Sequence, residues 1–478
     1  MKKYIILFLS IFLFSGCEKF LDVAPDDRVY EDEVFLDQDG FAKSLSGIYK
    51  YMASAELYQN KMKFGGLDLI TQYFLVSTEG EIERDLMAFD YENLGSRQVF
   101  DQMWGGLYNA IHQTNIIIKN LPNIEGNKNY PLIAGEAFGL RAFLHLEVLK
   151  TFGPIIQKEG LDKAAIPYYE KADKTPQKHL SSKQVLDRIE KDLQTAVGFL
   201  KEDPIIENGR ELDGNNQNGG VYSSLLDRRG IRMNYYAVKA LLARKSIWEG
   251  DLPKAYDRAM EVINELKETE AIRFVKSSDV SQQMGKDLRF SIENIFAIYD
   301  RSSKNVFDYY FLTSRFKISY QNNLQNLFEK GTGDWGDIRF NWGFGDYYFK
   351  YFSKFSVTSA DLESVNYNPK AFEIQLINLP EMYFIAAEAK IDTDPAESLR
   401  LMNEFRKNRQ MRAELKLDGL DLNQLLIDEV RREYIGEGFL FSFLKRKFLP
   451  ITSSVGETPA SMEIYKLPIP LNENLYNR

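Results

Sequence analysis

Cysteine and histidine are scarce in this sequence, which has one cysteine, Cys17, and three histidines among 478 residues. No two histidines stand at the spacing that zinc ligands use, and a lone thiol has no partner for an intramolecular disulfide. No serine stands in a Gly-x-Ser-x-Gly elbow. These absences argue against zinc, cysteine-nucleophile and serine-hydrolase chemistry. These residue types therefore supply no candidate for a catalytic residue, a metal site or a cofactor site.

Positive charge and long apolar runs are also lacking. The chain carries 60 lysines and arginines against 69 aspartates and glutamates, a net charge of −9. Proteins that bind nucleic acid need a basic face, so this balance argues against such a partner. The apolar run Tyr4–Phe14 is too short to span a bilayer. Because Lys2 and Lys3 precede it, residues 1–16 are predicted to be a signal peptide.

The one cysteine follows this signal peptide directly. Ser15-Gly16-Cys17 resembles a bacterial lipoprotein cleavage box, although Phe14 stands where Leu is commoner. The resemblance implies that Cys17 becomes the acylated first residue of the mature chain, with several acyl chains for stable attachment. The alternative is a chance thiol in a removed leader. The acidic segment 17–34 is then a tether.

Helical periodicity is strongest in Asn234–Asn264. Apolar residues recur there at three- and four-residue steps on both sides of Gly250, Asp251 and Pro253. Gly readily takes the left-handed conformation that ends a helix, and Pro is tolerated in a first turn. The segment is similar to a tetratricopeptide unit, which needs neighbouring pairs to bury its apolar face. The alternative is an ordinary helical hairpin.

The same signals predict most of the remaining chain to be helical. The predicted helices cover residues 41–52, 99–121, 134–152, 182–200, 379–391, 396–412, 421–436 and 439–447. The polar stretch 65–97 is predicted to form long loops. Gly209–Gly220 is predicted to be a flexible loop that lacks the acidic spacing of a calcium site. Alternation in Asn294–Asp300 and around Tyr347–Phe355 predicts a few strands. The fold class is therefore mainly α.

Aromatic residues are concentrated in residues 296–355, where they make up 19 of 60 residues against 13% of the whole chain. Flat rings suit the C–H face of a sugar, and planar donors such as Arg suit its hydroxyl groups. We therefore predict a ligand-binding region whose candidate residues are Trp335, Trp342, Tyr309, Tyr310 and Tyr347, with Tyr73 and Arg84 contributing from the opposite side. The alternative is that most of these rings belong to the core.

Two patterns with catalytic associations have simpler explanations. Gly331–Gly336 matches Gly-x-Gly-x-x-Gly literally, but the preceding run is predicted to be helical, whereas a dinucleotide site needs a strand there. Glu433 and Glu437 share a predicted helix face, with Arg431 and Arg432 beside them. We therefore predict a structural ion-pair network there rather than the carboxylate pair of a glycosidase.

Several motifs, in this order, resemble those of the SusD/RagB family of outer-membrane nutrient-binding lipoproteins. They are Cys17–Pro25, residues 135–155, the helix pair 234–264, Asp337-Ile338-Arg339, residues 381–406, residues 429–446 and the closing Lys-Leu-Pro-Ile-Pro. The likeness covers nearly the whole mature chain. Leu440 and Phe443 depart from it, since they stand where the family usually has Arg and Asp, and the tail lacks the usual Asn-Pro ending.

The resemblance implies a body of four tetratricopeptide-like helix pairs with an irregular ligand-binding face. It also implies lipid anchorage in the outer membrane, facing the cell exterior, and delivery of oligosaccharides to a SusC-like TonB-dependent transporter. Peptide is the alternative cargo, and a scaffold that binds only proteins is a third interpretation. The expected parts are residues 1–16 (signal peptide), 17–34 (tether), 35–295 (helical part), 296–370 (aromatic-rich binding region) and 371–478 (C-terminal helical part of the same fold).

Overall fold

The computed structural model describes residues 31–76, 80–173, 175–210, 225–276, 279, 288–312, 316–317, 327–328, 336–343, 354–355, 372–453 and 456–473. The signal peptide, Cys17, most of the predicted loop at 209–220 and nearly all of the Gly331–Gly336 motif lie outside these residues. The end of the predicted tether is a short helix, Glu31–Val34.

Helices dominate the described chain. In chain order they are α1 (Glu31–Val34), α2 (Gln38–Met52), α3 (Leu67–Ile70), α4 (Glu81–Met87), α5 (Leu94–Asn120), α6 (Tyr130–Phe152), α7 (Ile156–Glu159), α8 (Ser182–Phe199), α9 (Ile205–Asn208), α10 (Tyr235–Glu249), α11 (Leu252–Thr269), α12 (Ser303–Phe307), α13 (Ile338–Gly343), α14 (Leu379–Lys390), α15 (Pro395–Asn408), α16 (Leu422–Glu433), α17 (Phe439–Lys447) and α18 (Met462–Tyr465). None of the described helices is both long and apolar enough to cross a membrane.

The strands are short and form antiparallel pairs. They are β1 (Leu75–Val76) with β5 (Phe316–Lys317), β2 (Ala164–Ile166) with β3 (Leu180–Ser181), β4 (Asn294–Tyr299) with β6 (Glu373–Asn378), and β7 (Ile451–Ser453) with β8 (Gly456–Thr458). The strand predicted in Asn294–Asp300 is confirmed. Most of the one predicted around Tyr347–Phe355 lies outside the described residues, and Lys354 and Phe355 form a turn.

The long helices form a stack of four pairs within the described chain: α2 with α5, α6 with α8, α10 with α11, and α14 with α15, each packed on the next. The α10–α11 turn has the predicted chemistry. Gly250 ends α10 in the left-handed conformation at φ +85°, and the Asp251 carboxylate accepts a hydrogen bond from the Lys254 N–H. This stack confirms the mainly α, tetratricopeptide-like fold class.

Helix α6 is buried on almost every side because it lies between α5 and α8. Two of its glycines allow this approach, since a Cβ at Gly135 would lie 2.4 Å from Leu200 and one at Gly139 would lie 2.6 Å from Met233. Inside the contact, Arg141 donates two hydrogen bonds to Asp192, at 2.6 and 2.7 Å. A buried charge of this kind is tolerated only because it is fully paired.

The histidine on α6 is structural. Burial lowers the pKa of His145 to about 3, so its ring is neutral. The ring stacks on Tyr168 at 3.7 Å, and its Nε2 accepts the N–H of Tyr169 at 3.0 Å. His145 therefore fixes the connection between α6 and α8 to the helix stack.

The stretch 65–97 differs from the prediction of long loops, because it contains α3, α4 and strand β1. Single-turn elements such as α3 leave no periodic signal in a sequence. They form here because neighbouring structure buries them: Leu67, Leu69 and Leu86 are all in the core. Short helices are stabilised mainly by tertiary packing rather than by intrinsic propensity.

The C-terminal segment returns to the first third of the chain. The hydroxyl of Tyr91 donates to the carbonyl of Ile464 at 2.9 Å, and Lys466 pairs with Glu159 at 2.8 Å. Tyr465 is fully buried, and its hydroxyl donates to the Leu449 carbonyl. The two ends of the described chain therefore belong to one fold.

Candidate functional site

The polar stretch 65–97 and the aromatic segment are joined in space by strands β1 and β5. Leu75 pairs with Lys317 and Val76 with Phe316. Because these residues are far apart in sequence, the contact depends on the whole fold. The stretch that carries Tyr73 and Arg84 therefore adjoins the aromatic segment, and their contribution to a ligand site stays a prediction. We call the surface formed by Tyr309, Leu312, strand β1 and helix α4 the candidate binding face.

A π-helical turn, Asp308–Leu312, carries the aromatic residues of this face. Tyr309 is 45% exposed and Leu312 is 57% exposed, whereas Tyr310 is only 8% exposed. Turns of this type occur frequently at functional sites. Tyr309 and Tyr310 were both expected on an exposed loop. Tyr310 instead points into the core, where its hydroxyl accepts a hydrogen bond from Asn60 at 3.1 Å.

The exposed Tyr309 ring rests on a packed set of rings. Tyr310 lies 5.0 Å from Tyr309 and 5.5 Å from Phe64, measured between ring centroids. Phe64 also contacts Phe311 at 5.4 Å and Phe355 at 6.0 Å. Most of these contacts are edge-to-face, the arrangement that the charge distribution of aromatic rings favours. The face is therefore supported by a rigid layer before any ligand arrives.

The two candidates in the stretch 65–97, Tyr73 and Arg84, differ in how much of each side chain a ligand can reach. Tyr73 is half-buried, and its hydroxyl donates to the backbone carbonyl of Arg431 at 2.8 Å. Arg84 is exposed on α4, and its side chain has no ion pair with the described residues. Arg84 is therefore free to donate hydrogen bonds to a ligand, while Tyr73 can offer mainly the edge of its ring.

The remaining candidates lie in the least described part of the chain. Trp335 and Tyr347 are outside the described residues, and Trp342 belongs to the last part of α13, residues 341–343, of which only the backbone is described. They stay predictions. The backbone of α13 is fixed at its start by Asp337 and Arg339, whose side chains pair with each other at 2.7 Å.

Arginines and carboxylates form a buried network around helices α13 and α16. Arg339 donates to Glu429 at 2.8 Å, which ties α13 to α16. Arg409 is fully buried between Glu293 and Glu433 and donates two hydrogen bonds to each, the shorter of each pair being 2.6 Å. The predicted ion-pair network around Glu433 is therefore confirmed.

Its partners differ from those predicted from the sequence. Helix α16 ends at Glu433, so Glu437 lies in the following turn and does not share a helix face with it. Glu437 pairs with Lys63 and Lys354, and the neighbouring Arg431 donates to a backbone carbonyl instead. The sequence could not reveal these partners, because they come from distant segments.

The electrostatics of this network oppose acid catalysis. Burial alone would raise the pKa of the Glu429 carboxyl, but the surrounding arginines, Arg339 first, lower it to about 2. Burial likewise raises the pKa of Glu433, and the pairing arginines lower it. The resulting pKa is again below the ordinary value. A glycosidase needs one carboxylic acid with a raised pKa. Glu429 and Glu433 are held ionised and serve as structural anions. Burial raises the pKa of the third carboxyl group, Glu293, but both of its oxygens accept hydrogen bonds from Arg409 in the core, where no substrate reaches them.

Metal binding has no support in the described residues. No group of three or more His, Cys, Asp or Glu side chains is placed there so that it could hold an ion. The residues that sequence reasoning missed are instead Asn60, Phe64 and Lys354, which support the face from behind. Asn60 and Phe64 lie outside the aromatic-rich segment and had no sequence signal. Lys354 lies within it, beside Phe355, and this enrichment was its only signal.

Comparison with known proteins agrees with this architecture. Residues 19–207 match a family described as SusD-like, starch-binding and associating with the outer membrane. A SusD superfamily protein of Bacteroides thetaiotaomicron is 20% identical with a TM-score of 0.67, covering 92% of this chain and 98% of that one. A SusD superfamily protein of Bacteroides vulgatus is 20% identical with a TM-score of 0.69, covering 92% and 96%.

A laminarin-binding SusD-like protein has the same fold, at 16% identity and a TM-score of 0.61, covering 92% of this chain and 98% of its own. A comparison with functionally curated proteins found no match. The stacked helix pairs have the same fold as these SusD superfamily structures. Residues 19–207, about two fifths of the chain, are similar to the SusD-like family.

Proposed function

We propose that this protein binds extracellular oligosaccharides at its candidate binding face and delivers them to a SusC-like TonB-dependent transporter. The observation that carries the proposal is the exposed Tyr309 ring, which is held by packed rings and joined through β1 and β5 to the stretch that bears Arg84. A flat, rigid ring fits the C–H face of a sugar at low entropic cost. A guanidinium group supplies hydrogen bonds to its hydroxyl groups.

The comparisons support a glycan rather than a peptide as cargo. The matching family is described as starch-binding, and a structural relative with the same fold binds laminarin. The protein then acts as a binding protein and leaves its ligand chemically unchanged. Tyr310 supports the face from beneath, and Trp335, Trp342 and Tyr347 supply further rings.

The proposed location follows from the N-terminus. Acylation of Cys17 holds the protein on the outer membrane, and the acidic tether places the helix stack outside the cell. From there the binding face passes its ligand to the transporter in the same membrane.

Calorimetry on protein that lacks residues 1–17 tests the proposal. The panel contains laminarin oligosaccharides, starch oligosaccharides and peptides of similar length. We expect at least one oligosaccharide class to bind and the peptides to give no heat. Binding of a peptide without binding of any oligosaccharide would instead make the protein the peptide receptor of such an uptake system.

Two variants locate the site. Tyr309→Ala and the double variant Trp335→Ala, Trp342→Ala remove flat rings, and each should weaken oligosaccharide binding about ten-fold, the effect of one lost ring contact. Tyr256→Ala, which removes a partly exposed ring on α11 in the helix stack, is the control and should bind like the wild type. Unchanged affinity in both test variants would rule out this face as the site.

A further inference from the structure

One buried carboxylate connects the two chain segments that form the candidate binding face. The side chain of Glu437 is 3% exposed and receives two cations. Lys63 comes from the segment before α3, and Lys354 comes from the aromatic segment, at 2.9 Å. Lys354 also donates to the backbone carbonyl of Glu433 at 3.3 Å. Glu437 is therefore the common partner of two segments that are otherwise distant in sequence.

Both lysines lie against one aromatic ring. The Nζ of Lys63 is 5.8 Å and that of Lys354 is 5.4 Å from the centroid of Phe355. Phe355 packs on Phe64, which supports Tyr310 and, through it, the exposed Tyr309. A continuous set of contacts thus runs from the carboxylate of Glu437 to the surface of the face.

A second contact fixes the same turn to the same segment. The N–H of Gly438 donates to both carboxylate oxygens of Asp68 at 3.1 Å. Gly438 has a φ of +71°, and a Cβ there would lie 1.9 Å from the Met62 carbonyl oxygen. Only glycine allows the turn to approach this closely, so the position of Glu437 relative to Lys63 is defined by the backbone.

The two lysines of this bridge favour the ionised form of Glu437. Burial alone would raise the pKa of Glu437, but Lys354 and Lys63 lower it below its ordinary value. The carboxylate therefore stays ionised and keeps both ammonium groups. In a water-poor interior such charge-assisted hydrogen bonds are strong and directional, and loss of one partner is costly.

We propose that the bridge Lys63–Glu437–Lys354 positions the two halves of the candidate binding face, with Glu437 as the positioning residue. The bridge sets the distance between the segment that leads into β1 and the aromatic segment, and so fixes the tilt of the Tyr309 ring. This inference depends on the proposed function for its effect on affinity, but its effect on the order of the face is independent of any ligand.

A matched pair of variants tests the proposal. Lys354→Met removes one cation and leaves Glu437 paired with Lys63. Lys447→Met is the control, because Lys447 is likewise the second cation, at 3.2 Å, on a buried carboxylate, Glu388, which keeps Arg446. The control bridge links α14 and α17 within the helix stack. Both variants should therefore lose similar amounts of thermal stability.

Two measurements separate positioning from general stability. Amide hydrogen exchange without ligand should become about ten-fold faster in residues 303–312 of Lys354→Met and stay unchanged there in Lys447→Met. Calorimetry should show about ten-fold weaker oligosaccharide binding in Lys354→Met and wild-type binding in the control. Glu437→Gln, where it folds, should show the larger effect, since it leaves two buried cations without their anion.

The outcomes distinguish the two proposals. If the wild type binds no oligosaccharide but the exchange difference is present, the bridge positions the face and the proposed cargo is wrong. If the wild type binds and Lys354→Met equals Lys447→Met in both exchange and affinity, the bridge is only a structural ion pair and the inference is wrong.

Discussion

Asp68 is a carboxyl group with no exposure to water and no cation within ion-pair distance among the described residues. Its side-chain oxygens share one donor, the N–H of Gly438. Burial raises its pKa to about 7, and that hydrogen bond only partly offsets the effect. The folded protein therefore prefers the neutral acid at a pH where the unfolded chain is ionised.

Because the folded protein holds Asp68 neutral, the free energy of unfolding falls as the pH rises. The variant Asp68→Asn should remove this loss of stability. Below about pH 4 both states are protonated and the loss is absent. As the pH rises to about 7 only the unfolded state ionises, so the free energy of unfolding falls, and above about pH 7 it stays low. The variant should gain on the order of 4 kcal/mol over the wild type at about pH 8 and almost nothing at about pH 4.

Urea unfolding at both pH values measures the difference. Asp162→Asn, which makes the same change of charge at an exposed position, should show no such pH-dependent gain. An equal stability of Asp68→Asn and the wild type across the range would mean that Asp68 is ionised in the folded protein.

At the scale of single residues, the sequence predicted the exposure of its aromatic candidates only in part. The excess of rings after Phe296 indicated the binding face, and Tyr309 is exposed as expected. Tyr310 is not, because consecutive residues of a helical turn point in different directions. Asn60 and Phe64 gave no signal of their own, since their importance comes from contacts with residues about 250 positions away.

The helices show which sequence signals are sufficient to predict a helix. Long periodic runs such as Tyr235–Glu249 and Leu379–Lys390 were predicted within a few residues, because burial of one face repeats over several turns. Ser181 is the N-cap of α8, and its side chain accepts a hydrogen bond from the Gln184 N–H. Helices α3 and α4 were missed because helices of one or two turns are stabilised by their neighbours and are too short to show a period.

The α10–α11 turn gives a prediction at this scale. Gly250 has a φ of +85° with no atom near its Cβ position, so Gly250→Ala meets only backbone strain and should cost about 1 kcal/mol. Gly105 is in the interior of α5 and also has open space around it. Gly105→Ala should instead stabilise the protein by about 0.5 to 1 kcal/mol.

Thermal unfolding of the two variants checks this sign difference. Both changes add one methyl group, so a shift of the same sign in both would show that packing rather than backbone conformation decides. The comparison tests whether the tight turn between paired helices needs its glycine.

For the whole molecule, the proposed acylation of Cys17 predicts where binding takes place. Cys17→Ala removes the thiol that acylation requires. We expect the wild type to incorporate labelled palmitate and to sediment with membranes, and the variant to do neither. Asp27→Ala in the tether leaves the cleavage box unchanged and serves as the control. Palmitate incorporation in Cys17→Ala would place the anchor elsewhere.

The contacts between the C-terminal segment and the first third of the chain have a consequence for how the protein folds during synthesis. Gly438 contacts Asp68, and Ile464 contacts Tyr91, so the first third of the chain is completed by segments that the ribosome makes more than 300 residues later. An interrupted chain lacks the bridge beneath Tyr309 and leaves apolar helix sides uncovered. Such a fragment should therefore be cleaved by proteases faster than the full chain.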